Sequence, residues 1–181
     1  MERQFINLCK YGNLEGAKEF LRLHSDINIH IEYYNKAFSN ACENGHLEVA
    51  KWLLQVKPNI DISVNNESAF CCACMNGHLE VVQWLLSVKP DINISAQDEF
   101  AFCITCYLGR LEVAKWLQSL KPYLYVIKYD ENGKYTGYKI RSKEEANWKK
   151  RKYALHLALQ EETNILYHLP IDIMKAVTLF V

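Results

Sequence analysis

The sequence has no long hydrophobic run and no excess of charge of either sign. Its 181 residues include 21 Lys and Arg against 21 Asp and Glu, so it lacks the positive field with which proteins hold nucleic acid or an acidic membrane surface. No stretch approaches the roughly 18 apolar residues of a membrane span, and no signal-peptide pattern opens the chain. We therefore expect a cytoplasmic, monomeric protein whose partner is recognised by local surface, with no nucleic acid and no membrane involved.

A disulfide framework is also lacking. The seven cysteines are odd in number, and their spacing follows an internal repeat, unlike the framework of a small secreted domain. This usage indicates a reducing compartment.

What the sequence does contain is a repeat of 32 residues. The segment GHLEVAKWL at residues 45–53 returns as GHLEVVQWL at 77–85 and as GRLEVAKWL at 109–117, and GNLE at 12–15 begins an earlier, looser copy. A proline follows three of the copies at the same interval, at Pro58, Pro90 and Pro122. A fixed period of this length is typical of solenoid proteins.

Each copy predicts two short helices. In the second copy the first helix covers roughly residues 36–44 and stops at Gly45, which suits a left-handed position after a helix. The second helix covers about residues 47–56, where apolar residues recur at helical spacing. Residues 60–64 then alternate apolar with polar and lead to the turn signal Asn65-Asn66, which predicts a projecting hairpin-like finger.

Such a unit cannot bury its apolar side alone, so neighbouring copies must stack. Equivalent residues should then form rows within a shared core. The predicted rows are Phe5, Phe38, Phe70 and Phe102; Cys9, Cys42, Cys74 and Cys106; Leu14, Leu47, Leu79 and Leu111; and Trp52, Trp84 and Trp116.

These motifs resemble the ankyrin repeat family, whose second helix begins with Gly-His-Leu-Glu-Val and whose repeat is close to this length. The resemblance covers residues 2–122. It implies an all-α solenoid of stacked helix-turn-helix units that binds proteins and needs no cofactor. The family's Thr-Pro-Leu-His start of the first helix is replaced by KAFS at residues 36–39. With tryptophan in the second helix and Lys-Pro after it, the variant is similar to the ankyrin proteins of giant DNA viruses of amoebae, which implies a host protein as the partner.

The last third of the chain departs from the period. Two β-prone runs, residues 123–129 and 135–140, flank Asn132-Gly133 and predict a β-hairpin. A polar helix should follow over residues 142–152 with Ser142 as N-cap. YALHLA at residues 153–158 again resembles the family's first helix.

We therefore predict a single domain. Its expected parts are an N-terminal capping repeat at 1–31, full repeats at 32–62, 63–94 and 95–122, a degenerate fifth repeat with a hairpin insertion at 123–169, and a terminal capping helix at 170–181. The segment LPIDI at residues 169–173 also resembles the first helix of an F-box. A ubiquitin-ligase substrate adapter is thus the alternative function.

Three patterns have both a functional and a structural interpretation. The pairs Cys71-x-x-Cys74 and Cys103-x-x-Cys106 match the ligand spacing of a zinc site, but small buried residues at repeated positions explain them as well, and we favour that interpretation. His46 and His78 open second helices at equivalent positions, which favours a structural role over catalysis. The basic run Lys149–Lys152 has the composition of a nuclear import signal, and a solvated helix face is the favoured alternative.

The surface that stacking leaves free should bind the partner. The predicted contacts are residues that vary between copies at the finger tips and on the exposed side of the first helices, because the scaffold does not dictate them. They are Glu32, Tyr33, Tyr34, Asn35, Asn65, Asn66, Glu67, Gln97, Asp98 and Glu99 at the tips, and Asn40, Cys72, Ile104, Glu43, Met75 and Tyr107 on the helices. No acid–base pair or nucleophile is brought together by this pattern, so we expect no enzymatic activity.

Overall fold

The computed structural model describes residues 2–24, 30–142, 144–147 and 149, and the fold is mostly helical with one small hairpin, as predicted. The helices pair in sequence to form repeats 1 to 4, and the hairpin follows them. The bounds are α1 Glu2–Lys10, α2 Leu14–Leu23, α3 Ile31–Glu43, α4 Leu47–Val56, α5 Val64–Asn76, α6 Leu79–Val88, α7 Ala96–Tyr107, α8 Leu111–Leu120, β1 Tyr125–Tyr129 and β2 Tyr135–Ile140.

The first helices stack side by side. Helix α1 packs on α3, α3 on α5 and α5 on α7, while the second helix of each repeat packs on its own first helix. The phenylalanines predicted as a core row are all buried. Trp52 lies on Phe5 of the preceding repeat at 6.5 Å between ring centroids, and Trp84 lies on Phe38 at 6.2 Å. The aromatic residues therefore recur in one register along the stack, which confirms the core rows at these positions.

The turn between the two helices of a repeat depends on glycine for two reasons. Gly45 has a φ of +77°, which is costly for a residue with a Cβ. A Cβ built on Gly45 would also lie 2.6 Å from Nδ1 of His78, and one on Gly12 would lie 2.6 Å from Nδ1 of His46. Each histidine thus lies on the glycine of the preceding repeat, which supports the structural role predicted for both.

The predicted fingers are wrong, because the first helices begin earlier than the turn signals indicated. Helix α3 begins at Ile31 and α5 at Val64, so the residues assigned to the tips of the first two fingers form the first helical turns. In the third, Glu99 lies in α7 with a positive φ of 64°. Tyr34 extends the apolar side of α3 and packs edge-on against Phe5 with 5.3 Å between ring centroids. Burial of that ring stabilises the extra turn. The segment before α5, which was predicted as part of a finger, makes a tight turn in which the Ile60 amide donates to the Lys57 carbonyl over 3.2 Å.

The predicted hairpin is present. Strands β1 and β2 pair antiparallel, and the Asp130 carboxylate organises their turn by accepting hydrogen bonds from the amides of Asn132 and Lys134 at 3.0 and 2.8 Å. The ring of Tyr125 stacks on Phe102 at 4.0 Å and 5° between planes. Strand β2 lies against α7 and β1 against α8, so the hairpin covers the end of the phenylalanine row.

Several predictions fall wholly or mainly outside the described residues. These are the helices of the fifth repeat beyond residue 149, most of the basic run, the terminal helix at 170–181 and its F-box-like opening. Within the described part, Ser142 does act as a cap, since its Oγ accepts from the Glu145 amide at 3.1 Å. No helix in that part is long and apolar enough to cross a lipid bilayer. The repeat boundaries given above stay predictions.

Candidate functional site

The four first helices in the described part of the chain share an outer surface that stacking does not bury. In each repeat it consists of the residues nine, five, two and one positions before the turn glycine, which fall on one arc of a helix. We call it the first-helix face. Its members are Arg3, Asn7, Lys10 and Tyr11; Lys36, Asn40, Glu43 and Asn44; Ser68, Cys72, Met75 and Asn76; and Phe100, Ile104, Tyr107 and Leu108, all at least partly exposed.

Side chains and backbone groups of neighbouring repeats hold this face in register. The Asn76 amide Nδ2 donates to the Glu43 carbonyl at 2.8 Å, and Nε of Arg110 donates to the Met75 carbonyl at 3.2 Å. Both bonds join one repeat to the next. The face is therefore preorganised, and a partner need not pay to align the helices.

The chemistry of the face changes along the stack. Repeats 1 and 2 contribute three cations, Arg3, Lys10 and Lys36, and one anion, Glu43. Repeat 4 contributes apolar side chains, of which Phe100 is 37%, Leu108 40% and Tyr107 80% exposed. Repeat 3 lies between these extremes, with Cys72 and Met75 partly exposed. The face is thus polar and basic at one end and apolar at the other.

The hairpin adds exposed tyrosines at the end of the stack that repeat 4 forms. The ring of Tyr138 meets Phe102 edge-on at 5.8 Å between centroids, and its own exposed fraction is 36%. Tyr135 anchors the strand by donating its hydroxyl proton to the Cys106 carbonyl over 3.0 Å. Tyr129 packs on Tyr135 and is also exposed.

Among the residues predicted at fingertips, Tyr34 is misplaced. It is only 6% exposed, so it belongs to the core and cannot offer its ring to a partner. The signal that could have placed it was in the sequence, because Tyr34, Phe38, Ala41 and Cys42 continue one helical stripe. Desolvation by burial, together with the nearby Cys9, raises the pKa of its hydroxyl.

Three other fingertip residues are engaged within the chain. A hydrogen bond to Glu2, with the charge of that carboxylate, raises the pKa of the Tyr33 hydroxyl. Asn35 accepts the Asp61 amide at 3.1 Å through Oδ1. Glu99 accepts a hydrogen bond from the Tyr125 hydroxyl and lies 3.8 Å from Nζ of Lys121. These contacts tie the helix starts to neighbouring segments.

Glu32 is exposed in the first turn of α3. The remaining fingertip residues have helical backbones in the first turns of α5 and α7, and their side chains lie outside the described part of the chain. They are Asn65, Asn66, Glu67, Gln97 and Asp98. The helical positions, namely Asn40, Glu43, Cys72, Met75, Ile104 and Tyr107, lie together on the first-helix face.

Five of the seven cysteines have the properties of core residues, whereas Cys72 and Cys103 are partly exposed. All seven are free thiols, and burial raises the pKa of Cys9 to about 12 and that of Cys74 well above its usual value. Thiols with raised pKa values are poor nucleophiles and poor metal ligands at neutral pH. Within the described residues no group of His, Cys, Asp and Glu is arranged to hold a metal ion.

Sequence reasoning missed several members of the face. Arg3, Lys36 and Phe100 occupy the position nine residues before the turn glycine, which also varies between copies. That variation was the available signal, and it was overlooked because the first helices were expected to begin near this position. Tyr11 and Leu108, next to the turn glycine, also belong to the face and vary between copies.

Comparison with known proteins identifies the repeats. A family model described as ankyrin repeats in three copies matches residues 5–98. The X-ray structure of an ankyrin repeat family protein from Legionella pneumophila is similar, with a TM-score of 0.53 and 29% sequence identity over 63% of this chain and 36% of that one. The chain thus spans little more than a third of that protein's length. No curated protein matches the sequence.

Proposed function

Because this chain belongs to the ankyrin repeat family, whose repeats generally mediate protein–protein interaction, we propose that it is a non-catalytic scaffold that binds a partner protein through the first-helix face. One observation carries the proposal. Packing and hydrogen bonds between repeats fix the backbone of this face. Its side chains change from copy to copy, and core packing does not constrain them. Residues free to vary on a rigid support are suited to recognition.

The chemistry of the face suits a protein partner. Exposed tyrosine offers large contact area at a small cost in conformational entropy, and Tyr107 is the most exposed of the large apolar residues in the described part. The charged and amide side chains of repeats 1 and 2 supply polar selectivity. The resemblance of the repeat to those of giant viruses of amoebae supports a host protein as that partner.

The test compares captured proteins between matched variants. The immobilised full chain is incubated with amoebal lysate, and bound proteins are quantified by mass spectrometry. The face variant carries Lys36→Ala, Asn40→Ala and Tyr107→Ala. The control carries Gln55→Ala, Gln83→Ala and Ser87→Ala, which are exposed residues of second helices.

We expect the face variant to capture at least tenfold less of the specific partners than the wild-type chain does. The control should capture them in the wild-type amount. Equal retention by both variants would place binding elsewhere on the molecule. Circular dichroism of all three proteins checks that the variants keep the helical stack.

A further inference from the structure

We propose that the partner of the first-helix face is a protein segment with apolar side chains at one end and acidic side chains at the other, lying along the stack. The apolar end contacts repeat 4 and the hairpin, and the acidic end contacts repeats 1 and 2. This inference rests on the proposed function and specifies the chemistry and the orientation of the partner.

The apolar end of the face is not required by the fold. Phe100, Ile104 and Tyr107 occupy the positions that Lys36, Asn40 and Glu43 occupy in repeat 2. The same helical backbone therefore also stacks with polar residues at these positions. Scattered apolar residues on a surface are ordinary, but a contiguous group marks an interaction site.

The hairpin enlarges this apolar end. Strand β2 lies against α7, and both Tyr138 of β2 and Tyr129 of β1 keep more than a third of their surface exposed. Tyr138 contacts Phe102, which faces the core and is buried, so the hairpin places its exposed tyrosines at the same end of the stack as Phe100 and Tyr107. A partner's apolar segment that extends past α7 would therefore meet these tyrosines.

The basic end is distinguished by cations without counterions. On the second helices the lysines pair with a glutamate three residues earlier, as in Lys18–Glu15 at 2.7 Å and Lys51–Glu48 at 2.7 Å. Arg3 and Lys36 are exposed on the first-helix face and make no salt bridge within the described residues. Lys10 lies over the ring of Tyr11 at 5.9 Å.

Charge complementarity therefore selects an acidic partner at this end. Three cations outnumber the single carboxylate of Glu43 on this half of the face. Two other nearby acids, Glu2 and Glu32, lie in the first turns of α1 and α3, and the Glu2 carboxylate accepts a hydrogen bond from the Tyr33 hydroxyl. An Asp or Glu side chain from the partner would supply the missing counterions, and such rim pairs mainly govern specificity and association rate.

The spacing of the helices sets how long the partner segment must be to reach both ends of the face. Packed helix axes are about 8–10 Å apart, so the three steps from α1 to α7 span roughly 25–30 Å. A helix covers this span with about 16–20 residues at ~1.5 Å each, and an extended strand with about 8 residues at ~3.3 Å each. One continuous segment is therefore long enough to reach both ends.

The test selects binders without assuming a partner. A phage-displayed library of random 20-residue peptides is panned against the immobilised full chain, and enriched peptides are synthesised and measured by fluorescence anisotropy. We expect them to combine an apolar or aromatic group at one end with Asp or Glu at the other. Tyr107→Ala should weaken binding at least tenfold. Lys36→Glu should weaken it about fivefold at low salt and less at high salt, because exposed charges are screened.

The matched control for Lys36→Glu is Lys18→Glu, an exposed lysine on a second helix, which should leave affinity unchanged. Enrichment of basic peptides, of peptides without the two-ended pattern, or of none would overturn the inference. If basic peptides or peptides without the two-ended pattern are enriched and still lose binding with Tyr107→Ala, the proposed function stands and only the proposed chemistry of the partner is wrong. Insensitivity to every face substitution refutes the proposed function itself.

Two other occupants of the apolar end have distinct signatures. A second copy of the chain would give a concentration-dependent dimer in sedimentation velocity that Tyr107→Ala abolishes. A covering segment of the same chain would make Tyr107→Ala lower the melting temperature by several degrees, whereas substitution of a free surface residue changes stability little. Either result would overturn the inference.

Discussion

The turn glycines offer a sharp test at the scale of single residues, because their backbones are alike and their surroundings differ. Gly45 and Gly109 have φ values of +77° and +68°. A Cβ on Gly45 would meet His78, whereas nothing lies within 4 Å of a Cβ on Gly109. We predict that Gly109→Ala lowers the free energy of unfolding by about 1 kcal/mol, the cost of a left-handed residue, and that Gly45→Ala lowers it by about 2–3 kcal/mol.

Urea denaturation monitored by circular dichroism measures both losses. Gly77→Ala should fall between them, because the nearest atom is Cδ of Arg110 at 3.0 Å and that flexible side chain can move aside. Equal losses at all three positions would show that the histidine contact contributes nothing to the turn.

The buried thiol of Cys9 predicts a loss of stability at alkaline pH. An unfolded thiol has a pKa of about 8.5, whereas burial raises that of Cys9 to about 12. Above pH 9 the unfolded chain therefore binds fewer protons than the folded chain, and the free energy of unfolding falls as pH rises. The contribution of Cys9 is complete below about pH 8.5 and is lost by up to about 1.4 kcal/mol per pH unit up to pH 12.

Since other buried thiols and tyrosines titrate in the same range, the measurement compares the wild-type chain with Cys9→Ala. Urea unfolding with a reductant at pH 7.5, 9.5 and 10.5 gives the difference in stability between the two. That difference should narrow as pH rises, because only the wild-type chain loses the Cys9 contribution. A constant difference from pH 7.5 to 10.5 would contradict the raised pKa.

At the scale of helices and strands, the second helices were predicted almost to the residue, and the first helices were not. The second helix of repeat 2 was expected at about residues 47–56 and is Leu47–Val56, because a turn before it and Lys-Pro after it mark both ends. Before the first helices the signals are weaker, namely the N-cap residues Ser63 of α5 and Ser95 of α7. Turn-forming Asn65-Asn66 instead lies within α5, where stacking on the neighbouring helix outweighs local turn preference.

The place of the hairpin illustrates a different limit. Its strands and turn are local features, and the sequence around Asn132-Gly133 was sufficient to predict them. The hairpin occurs once in the described part of the chain, so the repeat period could not predict its contact with α7. The stacking of Tyr125 on Phe102 became visible only in three dimensions.

That contact predicts the hairpin's contribution to stability. Tyr125 is buried, stacks on Phe102 and donates a hydrogen bond to Glu99. Tyr125→Ala should lower the free energy of unfolding by about 3 kcal/mol, as expected when a buried aromatic ring is removed, and should speed amide exchange in α7 and α8. Tyr129→Ala removes an exposed tyrosine of the same strand and should cost less than about 1 kcal/mol. Similar costs for the two would mean that the hairpin does not seal the stack.

For the whole molecule, the repeat made the stack predictable and left the binding surface only partly so. Equivalent positions such as Phe38 and Phe70 share one environment, so repetition alone identified the core. Recognition residues are by contrast those that break the repetition, and variation does not tell an exposed residue from a buried one. Tyr34 and Tyr107 both vary between copies, yet one lies in the core and the other is the most exposed large apolar side chain among the described residues.

The linear arrangement of the repeats also predicts how damage spreads. Among the described first helices, α5 packs on both α3 and α7, whereas α1 packs on α3 only. Phe70→Ala and Phe5→Ala each remove a fully buried ring and should each cost about 3–5 kcal/mol. Because each repeat is stabilised by its nearest neighbours, the two substitutions should destabilise different parts of the chain.

Native-state hydrogen exchange read by mass spectrometry separates these effects, since local openings are measured segment by segment. Phe70→Ala should speed exchange from α3 through α8. Phe5→Ala should speed it in α1 to α4, where Phe5 contacts Tyr34 and Trp52, and leave α7 and α8 near their wild-type rates. If Phe5→Ala accelerated α7 and α8 as much as α1, the stack would open as one unit, and a partner bound at the apolar end would then sense changes made at the basic end.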